Sequence, residues 1–379
     1  MQHFDVIVIG VGGMGSASTY HLARRGQKVL GLEQFDIPHD FGSSHGSTRI
    51  IRLAYAEGPA YVPLLRRAYT LWRELENLVG ERLMIITGGI DAGGKDTPTV
   101  RGSLLTCERY CLPHQHLDAD SLRKQFPGYC LAKDMEAVYQ PDGGFLLPER
   151  CIANYVMAAQ AHGAEIHARE AVLGWTPSNP GVVVRTTRGS YFGRKLVITA
   201  GPWASTLCPG LAKLAIPERQ VVLWAQPIRP DLFRLGAFPI FNMEASEGRF
   251  YGFPVYGVPG FKIGKYHHLH QNVDPDRVDR DVHPEDEEVL REGIRRYFPD
   301  ANGPTMALKT CMFTNSPDEH FILDAHPQAE DVYLAAGFSG HGFKFASIVG
   351  EIMTDLAVDS GAKYADQIEM FRLSRFTAS

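Results

Sequence analysis

Apolar and polar positions change period along the chain, and the changes mark out its elements. Val6 to Ile9 form a short unbroken apolar run, the pattern of a parallel strand buried on both faces. "SASTYHLARRG" then repeats at helical period up to Gly26, and "KVLGLE" is a second short strand. "AYVPLLRRAYTLWRELENLVG" places Leu64, Leu65, Ala68, Leu71, Trp72 and Leu75 on one face of an amphipathic helix. "TGGIDAGGKDTP" is a glycine-rich strand and turn, Cys151 to Ala161 are helical, and "AEIHA" is a strand. "GVVVRTTRGSYFGRKLVITAGPWAS" predicts a hairpin followed by a buried strand, Leu196 to Thr199, and a small-residue turn. Residues 217 to 310 alternate apolar and polar with frequent Pro and Gly, which predicts a mainly antiparallel sheet. "VYLAAGFSGHGFKFASIVGEIMTDLAV" reads as a strand, a glycine-rich turn at Gly337 to Gly342, and a helix.

The result is a mixed α/β chain with a Rossmann-type nucleotide-binding domain and a second domain on a mainly antiparallel sheet. At 379 residues the chain exceeds what one core usually organises. We expect a discontinuous nucleotide domain over 1–84, 147–216 and 318–379, with the substrate domain over 85–146 and 217–317. The bulk numbers narrow the partners: 44% hydrophobic and 21% charged residues with a net charge of -5 imply no nucleic acid. Every apolar run stops short of the roughly 18–20 residues of a bilayer span, so no membrane is implied. The N-terminus enters a strand without a basic n-region or a cleavage site, so the expectation is an unprocessed cytoplasmic protein, and the C-terminal "TAS" is not a peroxisomal tripeptide. Six cysteines without a C-x-x-C pair argue for reduced thiols and against a zinc ribbon.

Gly10, Gly12 and Gly15 have G-x-G-x-x-G spacing between strand and helix, and Glu33 ends the next strand, about 20 residues on, where an acid grips a ribose hydroxyl. The helix N-terminus faces the phosphates. This fingerprint leaves NAD and FAD both open. Arg49 and Arg52 flank Ile50 and Ile51; anchored by apolar neighbours, a planar guanidinium can hold a carboxylate bidentately. Surface ion pairs are the plainer alternative. Lys262 lies in the strand-like "FKIGKY", where an exposed edge lysine is the ordinary reading. His267, His268 and His270 could be imidazole ligands, but no Cys or carboxylate at usual spacing completes a set, and no metal is expected.

Taken together, "VIVIGVGGMG", "GSSHGSTRIIRLAYAEG", "LVITAGPW", "FYGFP", "CMFTNSPDEHFILD", "AAGFSGHGFKFAS" and "FRLSRF" resemble the flavin-dependent amine oxidases typified by monomeric sarcosine oxidase, N-methyltryptophan oxidase and peroxisomal sarcosine/L-pipecolate oxidase. The similarity covers nearly the whole chain. It implies FAD attached covalently through an 8α thioether to Cys311, and oxidation of a secondary amino acid by hydride transfer to the flavin. The same resemblance implies that the imine is hydrolysed, that dioxygen is reduced to hydrogen peroxide, and that the protein is a monomer. It also implies that Arg52 and Lys344 clamp the substrate carboxylate, that Arg49 and His45 lie near the flavin, that Tyr251 lines the substrate pocket, and that Lys262 activates oxygen. Ser43, Thr48, Gly340 and Gly342 fall in the cofactor-binding motifs.

Three departures bear on the substrate. An insertion in "KIGKYHHLHQ" leaves the active-site histidine open between His267 and His268, with Tyr266 beside them, and puts Lys265 at the insertion. Phe313 stands where relatives often carry Tyr, and Ser44 and Ser47 replace a His and an Asp of the bacterial sarcosine enzymes. A flavin dehydrogenase serving an electron carrier, and a nucleotide-binding protein without turnover, remain as alternative functions.

Overall fold

The apolar run at the N-terminus becomes the strand Gln2–Ile9, whose last four residues are all buried. It lies parallel to Ser190–Ile198 on one side and to Val29–Leu32 on the other, and Glu165–His167 extends the sheet beyond Val29–Leu32. Ser190–Ile198 does two jobs: its start closes an antiparallel hairpin with Val182–Thr186, while its end pairs in parallel with Ala329–Ala336. The computed structural model describes residues 1–359 and 361–376 of this chain; the terminal "TAS" lies outside the described residues.

Helix Gly13–Arg24 packs on this eight-stranded sheet together with helices Pro148–Ala161 and Ala346–Val358. The turn into it is tight. Gly10 has φ +85°, and a Cβ on Gly15 would come 1.7 Å from the Gly10 carbonyl oxygen. Backbone cannot yield there as a side chain would, so Gly15→Ala is expected to remove at least the ~1–3 kcal/mol of an overpacked core. A lowered Tm, or loss of soluble protein, checks this. The amphipathic helix is Val62–Val79, and Leu64, Leu65, Ala68, Leu71, Trp72 and Leu75 are all buried.

A second sheet of eight strands runs in the order Thr305–Asn315, Ile216–Ala225, Phe261–Lys265, Gly248–Phe253, Ile240–Ala245, Gly89–Gly94, Met135–Gln140 and Gln115–Asp118. All its pairs are antiparallel except Ile240–Ala245 with Gly89–Gly94. Helix Pro284–Tyr297 interrupts the alternating stretch and covers this sheet. It has Pro at its start, acids in the first turn, and Leu290, Ile294 and Tyr297 buried at helical spacing. Arg49–Ile51, Gly144–Leu146 and Met84–Ile86 form a small third sheet with Gly144–Leu146 in the middle. Among the described residues no helix is long and apolar enough to cross a membrane.

Candidate active site

One cavity of about 310 Å³ runs from the glycine turn to the face of the second sheet. At its nucleotide end it is lined by Gly10 to Met14, Glu33, Ser43, Ser44 and Thr199. Helix Gly13–Arg24 has no side-chain cap and no acid in its first turn, so its N-terminal amides face the cavity without a protein partner, a ready anion site. The Glu33 carboxylate accepts N–H bonds from Val11 at 2.9 Å and Phe35 at 3.1 Å. Ser43 Oγ and Thr314 Oγ1 are buried without hydrogen-bond partners, as are both ring nitrogens of His45, although buried polar groups are almost always paired. Ser43 and Thr314 line the cavity. Uncapped amides, an acid at the end of the second strand and orphaned polar atoms together fit a dinucleotide. Gly15, His45, Thr48, Lys262 and Cys311 stand behind the cavity wall rather than in its lining.

The other end is cationic. Arg52 is buried, donating from Nη2 to Glu57 at 2.7 Å and from Nη1 to Asp91 at 3.4 Å. Arg249 donates to the other Glu57 oxygen at 2.6 Å and to Asn242 Oδ1 at 3.1 Å, and its guanidinium lies over the Tyr266 ring. Arg52 therefore makes ion pairs, and they are buried ones. Lys344 is buried too: its Nζ donates to the His341 carbonyl at 2.8 Å and lies 5.2 Å from the centre of the Tyr55 ring, which Arg52 also flanks at 4.7 Å. Burial, and then the Arg52 charge, pull the Lys344 ammonium down to about 7. Arg52 and Arg249 hold the Glu57 carboxyl well below its ordinary range against the effect of burial. Arg52, Arg249 and Lys344 thus stand beside two carboxylates, Glu57 and Asp91.

Between the two ends, Arg49 lines the cavity and donates to the carbonyls of Thr48 at 2.9 Å and Ser43 at 2.8 Å. Lys262 Nζ donates to Gly46 O at 2.7 Å, Thr48 O at 3.1 Å and Thr48 Oγ1 at 3.0 Å, and lies over the rings of Trp224 and Phe253. Burial drives its ammonium far below the usual lysine range, and Arg49 adds to this. Burial, then Arg49, also lowers His45 to about 3, so its imidazole is neutral. Cys311 sits on the strand Thr305–Asn315, just before the lining residues Met312, Phe313 and Thr314. Burial raises its thiol, while Arg49, Lys262, Arg219 and Arg280 pull it back.

Several positions fall differently from the motif reading. Tyr251 and Tyr266 line the cavity; neither His267 nor His268 does. His267 has φ +53° and turns its ring to Glu218 at 2.8 Å and Glu319 at 3.0 Å, which raise it to about 10. His268 is buried on Asp286 at 3.0 Å. A carboxylate does stand near the histidines: atoms of Glu218, His267 and His270 lie within 4.8 Å of one another, because the strand Ile216–Ala225 passes beneath the turn, which spacing along the chain could not show. Gly340 and Gly342 line the cavity, and a Cβ there would meet the rings of Phe313 at 2.4 Å and Phe338 at 2.6 Å. Asn242 and His341 are lining residues that sequence reasoning did not single out.

The chain matches the FAD dependent oxidoreductase family, DAO, over residues 5–356. It is 42% identical to monomeric sarcosine oxidase of Streptomyces avermitilis over 363 residues, with 94% of each chain covered. It is 34% identical to N-methyl-L-tryptophan oxidase of Yersinia pestis over 376 residues, covering 98% of this chain and 99% of the other. Among solved structures, the open form of NikD, an unusual amino acid oxidase essential for nikkomycin biosynthesis, superposes with a TM-score of 0.85 at 25% identity over 97% of both chains. The chain belongs to the FAD dependent oxidoreductase family.

Proposed function

We propose that this chain oxidises secondary amino acids, such as sarcosine, other N-methyl amino acids or pipecolate-like cyclic ones, and delivers the electrons to dioxygen. The amino acid loses two electrons and two protons across its C–N bond and leaves as an imine that water hydrolyses. Dioxygen gains the two electrons and two protons as hydrogen peroxide. FAD, when bound, supplies the two-electron relay between them. The observation that carries the reading is one cavity with an uncapped helix N-terminus at one end and the cations Arg49, Arg52 and Lys344 along the rest.

In this reading Arg52 and Lys344 hold the substrate carboxylate, because desolvating that anion requires fixed positive donors. Tyr251 and Tyr266 wall the substrate, and the half-buried Arg49 favours an electron-rich ring beside it. Lys262 presents its ammonium to the charge that develops on dioxygen, and Cys311 carries the flavin through its sulfur. The protein acts as a cytoplasmic monomer, with the segments 1–84, 147–216 and 318–379 forming the FAD domain and 85–146 and 217–317 the substrate domain. Peroxide release on a panel of sarcosine, pipecolate, proline and larger N-methyl amino acids tests the reading; amine consumption without peroxide would mark a dehydrogenase instead.

The carboxylate clamp has a pH signature. Lys344 attracts an anion only while protonated, so as pH rises through about 7 the affinity for a simple carboxylate inhibitor such as acetate is expected to fall. Lys344→Met removes that dependence and raises KM roughly tenfold to hundredfold, the worth of one charge-assisted hydrogen bond, about 1.5–3 kcal/mol. Inhibition constants measured from pH 6 to about pH 9 in both proteins check it.

A further inference from the structure

The segment Ser43 to Arg49 has no regular structure before its final residue, yet two cations of the site, Arg49 and Lys262, are held by it. All three side-chain hydrogen bonds of Lys262 go to Gly46 and Thr48, and both side-chain bonds of Arg49 go to Ser43 and Thr48. The position of the Lys262 ammonium therefore follows the shape of this segment. That shape is unusual: Gly46 has φ +94° and Ser47 φ +71°, and a non-glycine residue in the left-handed region persists only where its surroundings hold it.

What holds it is Glu149. One oxygen, Oε1, accepts the N–H groups of Gly46 at 2.7 Å and Ser47 at 3.0 Å. Glu149 stands in the first turn of helix Pro148–Ala161, where an acid ordinarily serves its own helix. That helix start has no side-chain cap, and the carboxylate instead crosses 103 positions of sequence to reach the segment. The segment is gripped from two sides, its N–H groups by a carboxylate and its carbonyls by the ammonium of Lys262.

We propose that Glu149 is a positioning residue for Lys262: by fixing the left-handed turn at Gly46 and Ser47 it aims the carbonyls that hold the ammonium where dioxygen is reduced. The inference rests on the reading of Lys262 given above. It predicts a split between half-reactions. In Glu149→Ala, reduction by sarcosine under anaerobic conditions stays within about twofold of the parent. Reoxidation of the dithionite-reduced protein by dioxygen slows at least about tenfold, a loss of more than about 1.4 kcal/mol. Glu149→Gln, which keeps the acceptor oxygen, restores reoxidation to within about threefold. If the alanine variant is not obtained, Glu149→Asp, one methylene short of both N–H groups, shows the same split.

A second readout does not depend on turnover. Hydrogen exchange at the Gly46 and Ser47 amides accelerates in Glu149→Ala and stays near parental in Glu149→Gln. The double variant Glu149→Ala/Lys262→Met reoxidises no more slowly than Lys262→Met alone, because residues acting through one another are not additive. Parental reoxidation in Glu149→Ala, equal slowing of both half-reactions, or unchanged amide exchange would overturn the inference. Failure of Lys262→Met itself to slow reoxidation would instead sink the reading of Lys262.

Discussion

Lys262→Met is expected to leave reduction by the amino acid intact and to slow reoxidation by dioxygen about 10²–10³-fold, the size of effect seen when one preorganised donor is removed from developing charge. Methionine keeps the length and apolar stem that fit between Trp224 and Phe253, so packing is largely retained. What is lost is a nitrogen that donates three hydrogen bonds to Gly46 and Thr48, as an ammonium does, against the effect of burial. Stopped-flow mixing of the reduced protein with aerated buffer measures it. Parental reoxidation would show that the ammonium's work lies elsewhere.

The second large effect concerns Cys311. Acid precipitation of the parent is expected to leave the yellow colour in the pellet, and Cys311→Ser to release FAD into the supernatant. The argument is electrostatic. A thiol must become thiolate to act as a nucleophile, and Cys311 is surrounded by Arg49, Lys262, Arg219 and Arg280, all of which oppose the effect of burial. Cys151 is buried as deeply, and its charged neighbours Glu76, Glu149 and Glu81 push its thiol further up. Quantitative release of FAD from the parent would contradict a covalent bond.

How far the chain announces this site depends on the distance over which its parts cooperate. The glycine turn, its helix and the buried face of Val62–Val79 were readable because their information is local: three spacings and one 3.6-residue stripe. The network around Arg52 was not, since Asp91 lies 39 positions away and the Arg249 bond to Glu57 spans 192. Helix Pro284–Tyr297 was hidden in a stretch rich in Pro and Gly, although its acids and its Leu290, Ile294 and Tyr297 stripe carry the ordinary signals. At the inserted residue, motif matching left two histidines in play, whereas the left-handed backbone at His267 takes that ring to Glu218 and leaves Tyr266 on the cavity wall. Backbone handedness at a turn is decided by tertiary partners, and side-chain spacing alone does not reveal it.

The most direct test is an anaerobic titration of the purified flavoprotein with sarcosine and the wider panel of secondary amino acids. Loss of the flavin's visible absorbance with one equivalent of an effective substrate is expected, with full recovery on admitting air and one peroxide formed per flavin. Absorbance that persists through every secondary amino acid tried would contradict the account.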